Sequence, residues 1–254
     1  MTLLRLIAAE SRLHFHRQRR YAFELIVSSS VLLGIFAGIA YGMAWLPAAE
    51  FLPGQASLAL GFVLWSFASA CYGAISTEVS DEMRGRTLEQ LCIVARPLSS
   101  VLLARCAVQL AMALFGTLLM LHMAFWVVGQ PVEVAVGPML VILVAAAPSL
   151  IGVGLIIGGL GVLFKQVEAV NAIMLLGVIA LIGVPAYPVN SLALLPFSHA
   201  AAWVIAEQES LALSGHEVVL AWVVGNSVLY FGLGLLVFRS CYRLACRHGT
   251  IGHI

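Results

Sequence analysis

The sequence predicts an all-α polytopic membrane protein with six transmembrane helices and both termini in the cytoplasm, and three observations support this prediction. First, 62% of the 254 residues are hydrophobic and 10% are charged, whereas about a quarter of the residues in a soluble domain are charged. Second, the chain contains six long uncharged runs. Third, its basic residues cluster in alternate connections between those runs.

The six uncharged runs define the predicted helices. A helix needs about 20 consecutive apolar residues to cross the hydrocarbon core of a bilayer. Prolines 185, 188 and 196 interrupt the later part of the fifth run, so we expect one transmembrane helix and a shorter element there. The predicted transmembrane helices lie near residues 25–46, 57–77, 103–128, 138–164, 169–187 and 218–238.

The distribution of basic residues predicts the orientation. Of the 13 Lys and Arg residues, five precede the first predicted helix, four lie around the connection between the second and third, one lies between the fourth and fifth, and three follow the sixth. The other connections contain no basic residue but hold Glu50, Glu133, Glu207, Glu209 and Glu217. Because basic residues are enriched on the cytoplasmic side of a membrane, we expect both termini to lie in the cytoplasm.

Residues 1–254 are predicted to form a single membrane domain with four accessory segments. Residues 1–22 are expected to form a cytoplasmic interfacial helix, and residues 78–100 a cytoplasmic segment. Residues 188–217 are expected to form an extracytoplasmic re-entrant segment, and residues 239–254 a cytoplasmic tail.

The interfacial helix would present one basic stripe, formed by Arg5, Arg12 and Arg19. Arginines on a helix that lies along the membrane surface contact lipid phosphates or a partner. A basic tail that only sets the topology is the alternative interpretation.

Glycines recur at helical spacing inside two predicted transmembrane helices. Gly34, Gly38 and Gly42 are four residues apart in the first, and Gly154 and Gly158 are four residues apart in the fourth. Such spacing allows two helix backbones in a bilayer to approach closely. We expect packing within the chain at these positions, with a subunit interface as the alternative.

Several kinds of functional site are missing from the sequence. No H-E-x-x-H, G-x-S-x-G or phosphate-binding P-loop motif is present, so we predict no catalytic residue and no nucleotide site in this chain. His122 is interpreted as a hydrogen-bonded core residue. Cys241, Cys246 and His248 are interpreted as part of an ordinary tail rather than a metal site. We therefore expect no metal, cofactor or nucleic acid on this chain.

A charged segment, "SDEMRGRTLEQL" (residues 80–91), stands between the second and third predicted helices. Thr87 followed by Gln90 has the spacing of a capping box, which begins a helix. An apolar stripe follows at helical spacing and consists of Leu88, Leu91, Cys92 and Ala95. We predict a short amphipathic helix that docks into a groove of another protein, with a solvated loop as the alternative.

Two stretches resemble a known family. "EVSDEMRGRTLEQLCIVARPLSSVLLAR", from Glu78 to Arg105, resembles the signature of type-2 ABC transporter permeases. "LLPFSHAA", from Leu194 to Ala201, is similar to the element that follows the fifth span in that family. Arg86 replaces the Gly that frequently precedes "TLEQL" in the family, and Gly85 stands one place earlier. The re-entrant element would include Pro196, Phe197, Ser198 and His199.

The resemblance implies the membrane subunit of an ATP-driven exporter in the cytoplasmic membrane of a prokaryote. Two permeases, identical or different, would pair with two copies of a separate ABC ATPase subunit that binds ATP and Mg. The short amphipathic helix, Thr87–Ala95, would be the coupling helix. The ATPase-coupling residues would be Arg84, Arg86, Thr87, Leu88, Glu89, Gln90 and Leu91. A cavity between the permeases would be lined by Phe, Met and Leu of the first, second and fifth spans, which suits hydrophobic or amphipathic cargo such as a drug, lipid or peptide.

Two other classes of function compete with this interpretation. A membrane maturation factor or enzyme would use His122, His199 or His216 together with cysteines to handle metal or haem. A non-transporting scaffold or immunity protein would bind a toxin without turnover.

Overall fold

The structure is a computed structural model that describes residues 22–44, 54–84, 98–129, 134–164, 168–207 and 217–247. These ranges contain α-helices and one 3₁₀ turn, Ser191–Leu194, and no β-strand. The all-α prediction is therefore confirmed for the described residues. The α-helices are Ala22–Ala44 (α1), Gln55–Arg84 (α2), Leu98–Val128 (α3), Val136–Phe164 (α4), Glu168–Gly183 (α5), Ser198–Ala206 (α6) and Glu217–Arg247 (α7).

Five of the described helices, α1, α2, α3, α4 and α7, are long and apolar enough to cross a membrane. The fifth predicted span, 169–187, corresponds to α5, which has 16 residues. At 1.5 Å per residue α5 is about 24 Å long, compared with about 30 Å for the hydrocarbon core of a bilayer.

The predicted interfacial helix, 1–22, falls outside the described residues except for its last position.

Two helices extend beyond their predicted ends. α2 continues to Arg84, although the span was predicted to end at residue 77, because the sequence contains no Gly or Pro until Gly85. α7 continues to Arg247 and so includes the first nine positions of the predicted cytoplasmic tail, 239–254. Cys241 and Ala245 are buried on one face of this extension, in line with the buried Phe238 just before it, and their packing holds it in the helix.

The most extensive contact between helices joins α4 to α7. A Cβ atom added to Gly234 would lie 2.8 Å from Cα of Gly152, and one added to Gly152 would overlap the backbone carbonyl of Tyr230. One added to Gly159 would lie 3.0 Å from Cα of Phe238. The two backbones therefore touch at Gly152 and Gly234, where no side chain fits without a shift of the backbone.

The glycines singled out in the sequence have different environments. Gly154 and Gly158 are buried in α4, as expected for helix packing. Gly34, Gly38 and Gly42 on α1 are exposed, and no atom of the described residues lies within 4 Å of a Cβ added to any of them. The expected packing within the chain is therefore not found at these three glycines in the described part.

α2 lies at the centre of the bundle, where it packs against α3 and α4 and also reaches α5 and α6. Its buried face includes Leu60, Val63, Leu64 and Phe67. On the periphery, the hydroxyl of Tyr41 at the end of α1 donates to the carbonyl oxygen of Val127 at the end of α3, at 2.8 Å. α1 is otherwise loosely attached, because few of its residues are buried.

The contact between α4 and α7 predicts that substitution by Ala has very different effects on stability at two glycines of α7. Gly234→Ala is expected to destabilise the protein by about 1–3 kcal/mol, because the added methyl group overlaps the α4 backbone. Gly225→Ala is the matched control, since nothing lies within 4 Å of its added Cβ among the described residues. Thermal unfolding of both variants in detergent measures the difference. Equal melting temperatures would contradict the packing described here.

Candidate functional site

The chain between α5 and α7 folds over one end of the helix bundle, and we call residues 184–207 the connecting segment. Asn190 organises its first half: the side-chain oxygen accepts from the backbone N–H groups of Leu192 at 2.9 Å and Ala193 at 3.3 Å. The side-chain N–H of Asn190 donates to the carbonyl oxygen of Pro185 at 2.8 Å. One amide side chain thus stabilises the turn both as a hydrogen-bond acceptor and as a donor.

The predicted re-entrant residues Pro196, Phe197, Ser198 and His199 are all buried in this segment. Phe197 has a φ of 66°, in the left-handed region, and this turn begins α6. The Ser198 hydroxyl lies 2.9 Å from the carbonyl oxygen of Leu192 and 3.0 Å from that of Leu195. α6 is therefore held against the 3₁₀ turn by the chain itself.

Three polar side chains of α7 bind the connecting segment. The indole N–H of Trp222 donates to the carbonyl oxygen of Ala193 at 3.0 Å. The side-chain N–H of Asn226 and the hydroxyl of Tyr230 both donate to the carbonyl oxygen of Leu194, at 2.9 Å and 3.1 Å. The sequence reasoning missed these residues, although their spacing of four places them on one face of the helix.

His199 joins the connecting segment to the core. Its Nδ1 lies 2.8 Å from the carbonyl oxygen of Ala186, so this nitrogen donates. Nε2 of His199 and Oγ of Ser227 are buried and have no hydrogen-bond partner in the described part of the protein. Both residues line a small cavity of about 10 Å³, together with Ser149 and Asn226.

A much larger cavity, of about 780 Å³, opens between α1, α2, α5 and the connecting segment. We call it the lateral cavity. Pockets that bind small molecules typically measure about 300–1,000 Å³. None of its lining residues carries an ionised side chain. The lining includes Leu32, Phe36, Ile39, Leu58, Gly61, Phe62, Trp65, Ile182, Gly183 and Tyr187.

Aromatic rings form one wall of the lateral cavity. Phe36 of α1 stacks on Phe62 of α2, with ring centroids 4.5 Å apart and planes at 21°. Trp65 lies one helical turn further along α2, with its ring centroid 6.0 Å from that of Phe62. α1, α2 and α5, the spans that the resemblance implied for a cavity between two permeases, line this cavity together with α6, and the lining contains no Met.

A polar pair lies beside the lateral cavity. The hydroxyl of Tyr187, which lines the cavity, donates to a carboxylate oxygen of Glu207 at 3.3 Å. The Tyr187 ring also lies against the imidazole of His199, with centroids 5.9 Å apart. Partial desolvation and the neighbouring carboxylate raise the pKa of Tyr187, so its hydroxyl keeps the proton that it donates.

A second polar contact ties α2 to α5 away from the lateral cavity. The hydroxyls of Tyr72 and Ser76 each donate to the side-chain oxygen of Asn171, at 2.6 Å. Both donors are buried. Buried hydrogen bonds between transmembrane helices fix the helices relative to each other, so Asn171 sets the position of α5 on α2.

The other sequence-predicted residues have mixed outcomes. Arg84 is the last residue of α2. The remaining predicted coupling residues, Arg86, Thr87, Leu88, Glu89, Gln90 and Leu91, lie outside the described residues, as do Arg5, Arg12 and Arg19.

The residues of the metal or haem hypothesis are not brought together in the described ranges. His122 is exposed on α3, so its interpretation as a core residue is wrong. Cys241 is buried against Gly159. His216 lies outside the described residues. Where the structure describes the chain, no three His, Cys, Asp or Glu side chains form a group that could hold a metal ion.

Comparison with known proteins gives no match: no protein-family model, no curated protein and no solved structure matches this chain. The site is therefore interpreted from its own geometry and from the sequence.

The small cavity at His199 predicts a buried water molecule. A single water needs about 10–15 Å³ and two or more polar partners, and Nε2 of His199 and Oγ of Ser227 supply two. A structure that resolves ordered waters should show density within hydrogen-bonding distance of both atoms.

Ser227→Ala tests the same site by stability. It is expected to lower the free energy of unfolding by about 1–3 kcal/mol, because it removes one partner of the buried water. Ser240→Ala is the control, since the exposed Ser240 hydroxyl binds the carbonyl oxygen of Leu236 on its own helix. An empty cavity, or equal stability of the two variants, would contradict the prediction.

Proposed function

We propose that this chain is the transmembrane subunit of an ATP-driven ABC exporter that moves hydrophobic or amphipathic cargo across the cytoplasmic membrane of a prokaryote. Two copies of a separate ATPase subunit would bind ATP and Mg, and the permease would pair with a second, identical or different, permease. The observation that carries the proposal is the lateral cavity, which lies on α1, α2 and α5 and has no ionised lining.

The shape and chemistry of the lateral cavity support a role in binding apolar cargo. Its volume is that of a small-molecule site, and its aromatic wall offers a large apolar surface. Binding there would remove apolar surface of the cargo from water, which favours binding by about 25 cal/mol per Å² of buried apolar surface. A strongly charged cargo would lose its hydration without a compensating partner in the lining.

α2 supports a coupling route between the cavity and the charged segment. Gly61, Phe62 and Trp65 line the cavity, and the same helix continues without a break to Arg84. The 30 residues of α2 extend about 45 Å. A rigid helix of that length would carry a displacement of the coupling residues 86–91 directly to the cavity wall.

The second permease copy would cover surfaces that this chain leaves open. Gly34, Gly38 and Gly42 form an exposed stripe on α1, and Ile173 and Leu176 project from α5 at 66% and 68% exposure. Glycine stripes permit close helix approach in a bilayer. A partner on these helices would also close the open side of the lateral cavity.

The proposed topology adds α5 to the five long helices, which gives six spans. It places both termini and residues 85–97 in the cytoplasm and the connecting segment on the other side, following the distribution of basic residues. The interfacial helix with Arg5, Arg12 and Arg19 would contact lipid phosphates beside the coupling helix.

The coupling role is tested by replacing Leu88 and Glu89. In a complex reconstituted with the ATPase subunits, Leu88→Glu and Glu89→Lys are expected to reduce cargo-stimulated ATP hydrolysis to the level of the ATPase alone, because Glu89 would contact the ATPase and Leu88 would brace the coupling helix against the membrane domain. Glu217→Lys makes a comparable charge change at the opposite end of the bundle and should keep the stimulation. Full stimulation in the Leu88 and Glu89 variants would refute the coupling role.

The cargo role of the cavity is tested with two glycines of α5. Gly183→Leu places a side chain in the lateral cavity and should lower export at least tenfold, while the ATPase subunits still bind. Gly177→Leu is the control, because Gly177 does not line the cavity and has the same open surroundings. The measurement is the rate of cargo export in proteoliposomes. Equal export rates in both variants would show that cargo does not pass through the lateral cavity.

A further inference from the structure

A charged cargo in the lateral cavity can place its charge only at the edge of the cavity. Its walls hold no ionised group, and a charge buried without a partner is strongly disfavoured. The apolar part of an amphiphile therefore fits beside Phe36, Phe62 and Trp65, whereas its polar part has to reach the edge of the cavity. The chemistry of that edge decides which amphiphiles fit.

Glu207 makes that edge negative. Tyr187 and Ala206 line the cavity, and Glu207 follows Ala206 in the chain and accepts the Tyr187 hydroxyl at 3.3 Å. Glu207 is also the C-cap of α6, and the C-terminus of a helix carries a negative partial charge. A carboxylate at that end is repelled by the helix dipole, and a cation beside it would be attracted by both.

The neighbouring connections have the same sign of charge. Ala40, Ser57 and Gly183 all line the cavity, so the end of α1, the start of α2 and the end of α5 meet there. The sequences that join α1 to α2 and α5 to α7, residues 45–54 and 184–216, contain three Glu and no Lys or Arg. A one-sided charge distribution around a cleft with apolar walls concentrates ions of the opposite sign at its mouth.

We propose that the lateral cavity takes amphiphiles with a positive charge, whose apolar body packs on the aromatic wall and whose cation lies beside the Glu207 carboxylate. This inference rests on the proposed function, because it names the class of cargo. Neutral amphiphiles would gain the apolar contacts alone. Anionic amphiphiles of the same size would be repelled by the carboxylate.

The test uses two hydrophobic ions of nearly equal size and opposite charge, tetraphenylphosphonium and tetraphenylborate. The full-length protein is purified without the ATPase and placed in nanodiscs of uncharged lipid, with empty nanodiscs as the blank. Binding of radiolabelled tetraphenylphosphonium is expected to be saturable and to be lost in Gly183→Leu. Tetraphenylborate is expected to show no saturable binding to the protein.

Glu207→Gln removes the charge but keeps an oxygen that accepts the Tyr187 hydroxyl. It is expected to weaken the binding of tetraphenylphosphonium about threefold or more, because it removes an attraction between two unit charges that has at least this effect at about 6 Å in water. Glu217→Gln is the matched control, because Glu217 is exposed at the start of α7 and outside the cavity lining. Its effect should stay below about twofold, as expected for a distant, screened charge.

Tyr187→Phe keeps the carboxylate and removes only its hydrogen bond, so it should weaken cation binding less than Glu207→Gln does. Unchanged cation binding in Glu207→Gln, or saturable tetraphenylborate binding of equal affinity, would overturn the inference. Cation binding that survives Gly183→Leu would place the site elsewhere and overturn it too. Because this assay contains no ATPase, failure of ATP-driven export would refute the proposed function without altering the binding result.

Discussion

The backbone contact between α4 and α7 is the constraint on which the rest of the structure depends. At Gly152 and Gly234 the two helices lie so close that a methyl group cannot enter, and at Gly159 a methyl group would be in tight contact with the facing backbone. Between helices in lipid the hydrophobic effect gives no net attraction, so close van der Waals contact has to hold them together. Tyr230 extends this contact, because its backbone lies against Gly152 while its hydroxyl holds the carbonyl oxygen of Leu194.

The same face of α7 therefore fixes the connecting segment. Trp222 and Asn226 stand two turns and one turn before Tyr230, and all three bind carbonyl oxygens of residues 193–195. Backbone carbonyls inside a membrane domain need such donors, because lipid supplies none. α4, α7 and the connecting segment thus form one body, and the wall of the lateral cavity contributed by α6 belongs to it.

The sequence could predict the helices but not their partners. Long apolar runs predicted α1 to α5 and α7, because span length follows from bilayer thickness. A helix that is apolar on every side shows no preferred face, so nothing in α4 distinguished Gly152 from Gly154 as the closest contact. The role of Asn226 depends on the path of residues 193–195, and that path is fixed by the turn at Asn190 and the left-handed Phe197. Neither is visible in a pattern of hydropathy.

The two sides of the bundle are held by different kinds of contact, and this difference bears on how a cavity can change shape. α4 and α7 touch through backbone atoms, and such a contact does not tolerate sliding. α1 and α5 meet α2 through side chains, namely the ring pair of Phe36 and Phe62 and the hydrogen bonds to Asn171. The ring pair can shift by rotamer changes of its two side chains, whereas the buried bonds to Asn171 hold α5 on α2. Changes in the volume of the lateral cavity should therefore occur on the side of α1, against walls that stay fixed.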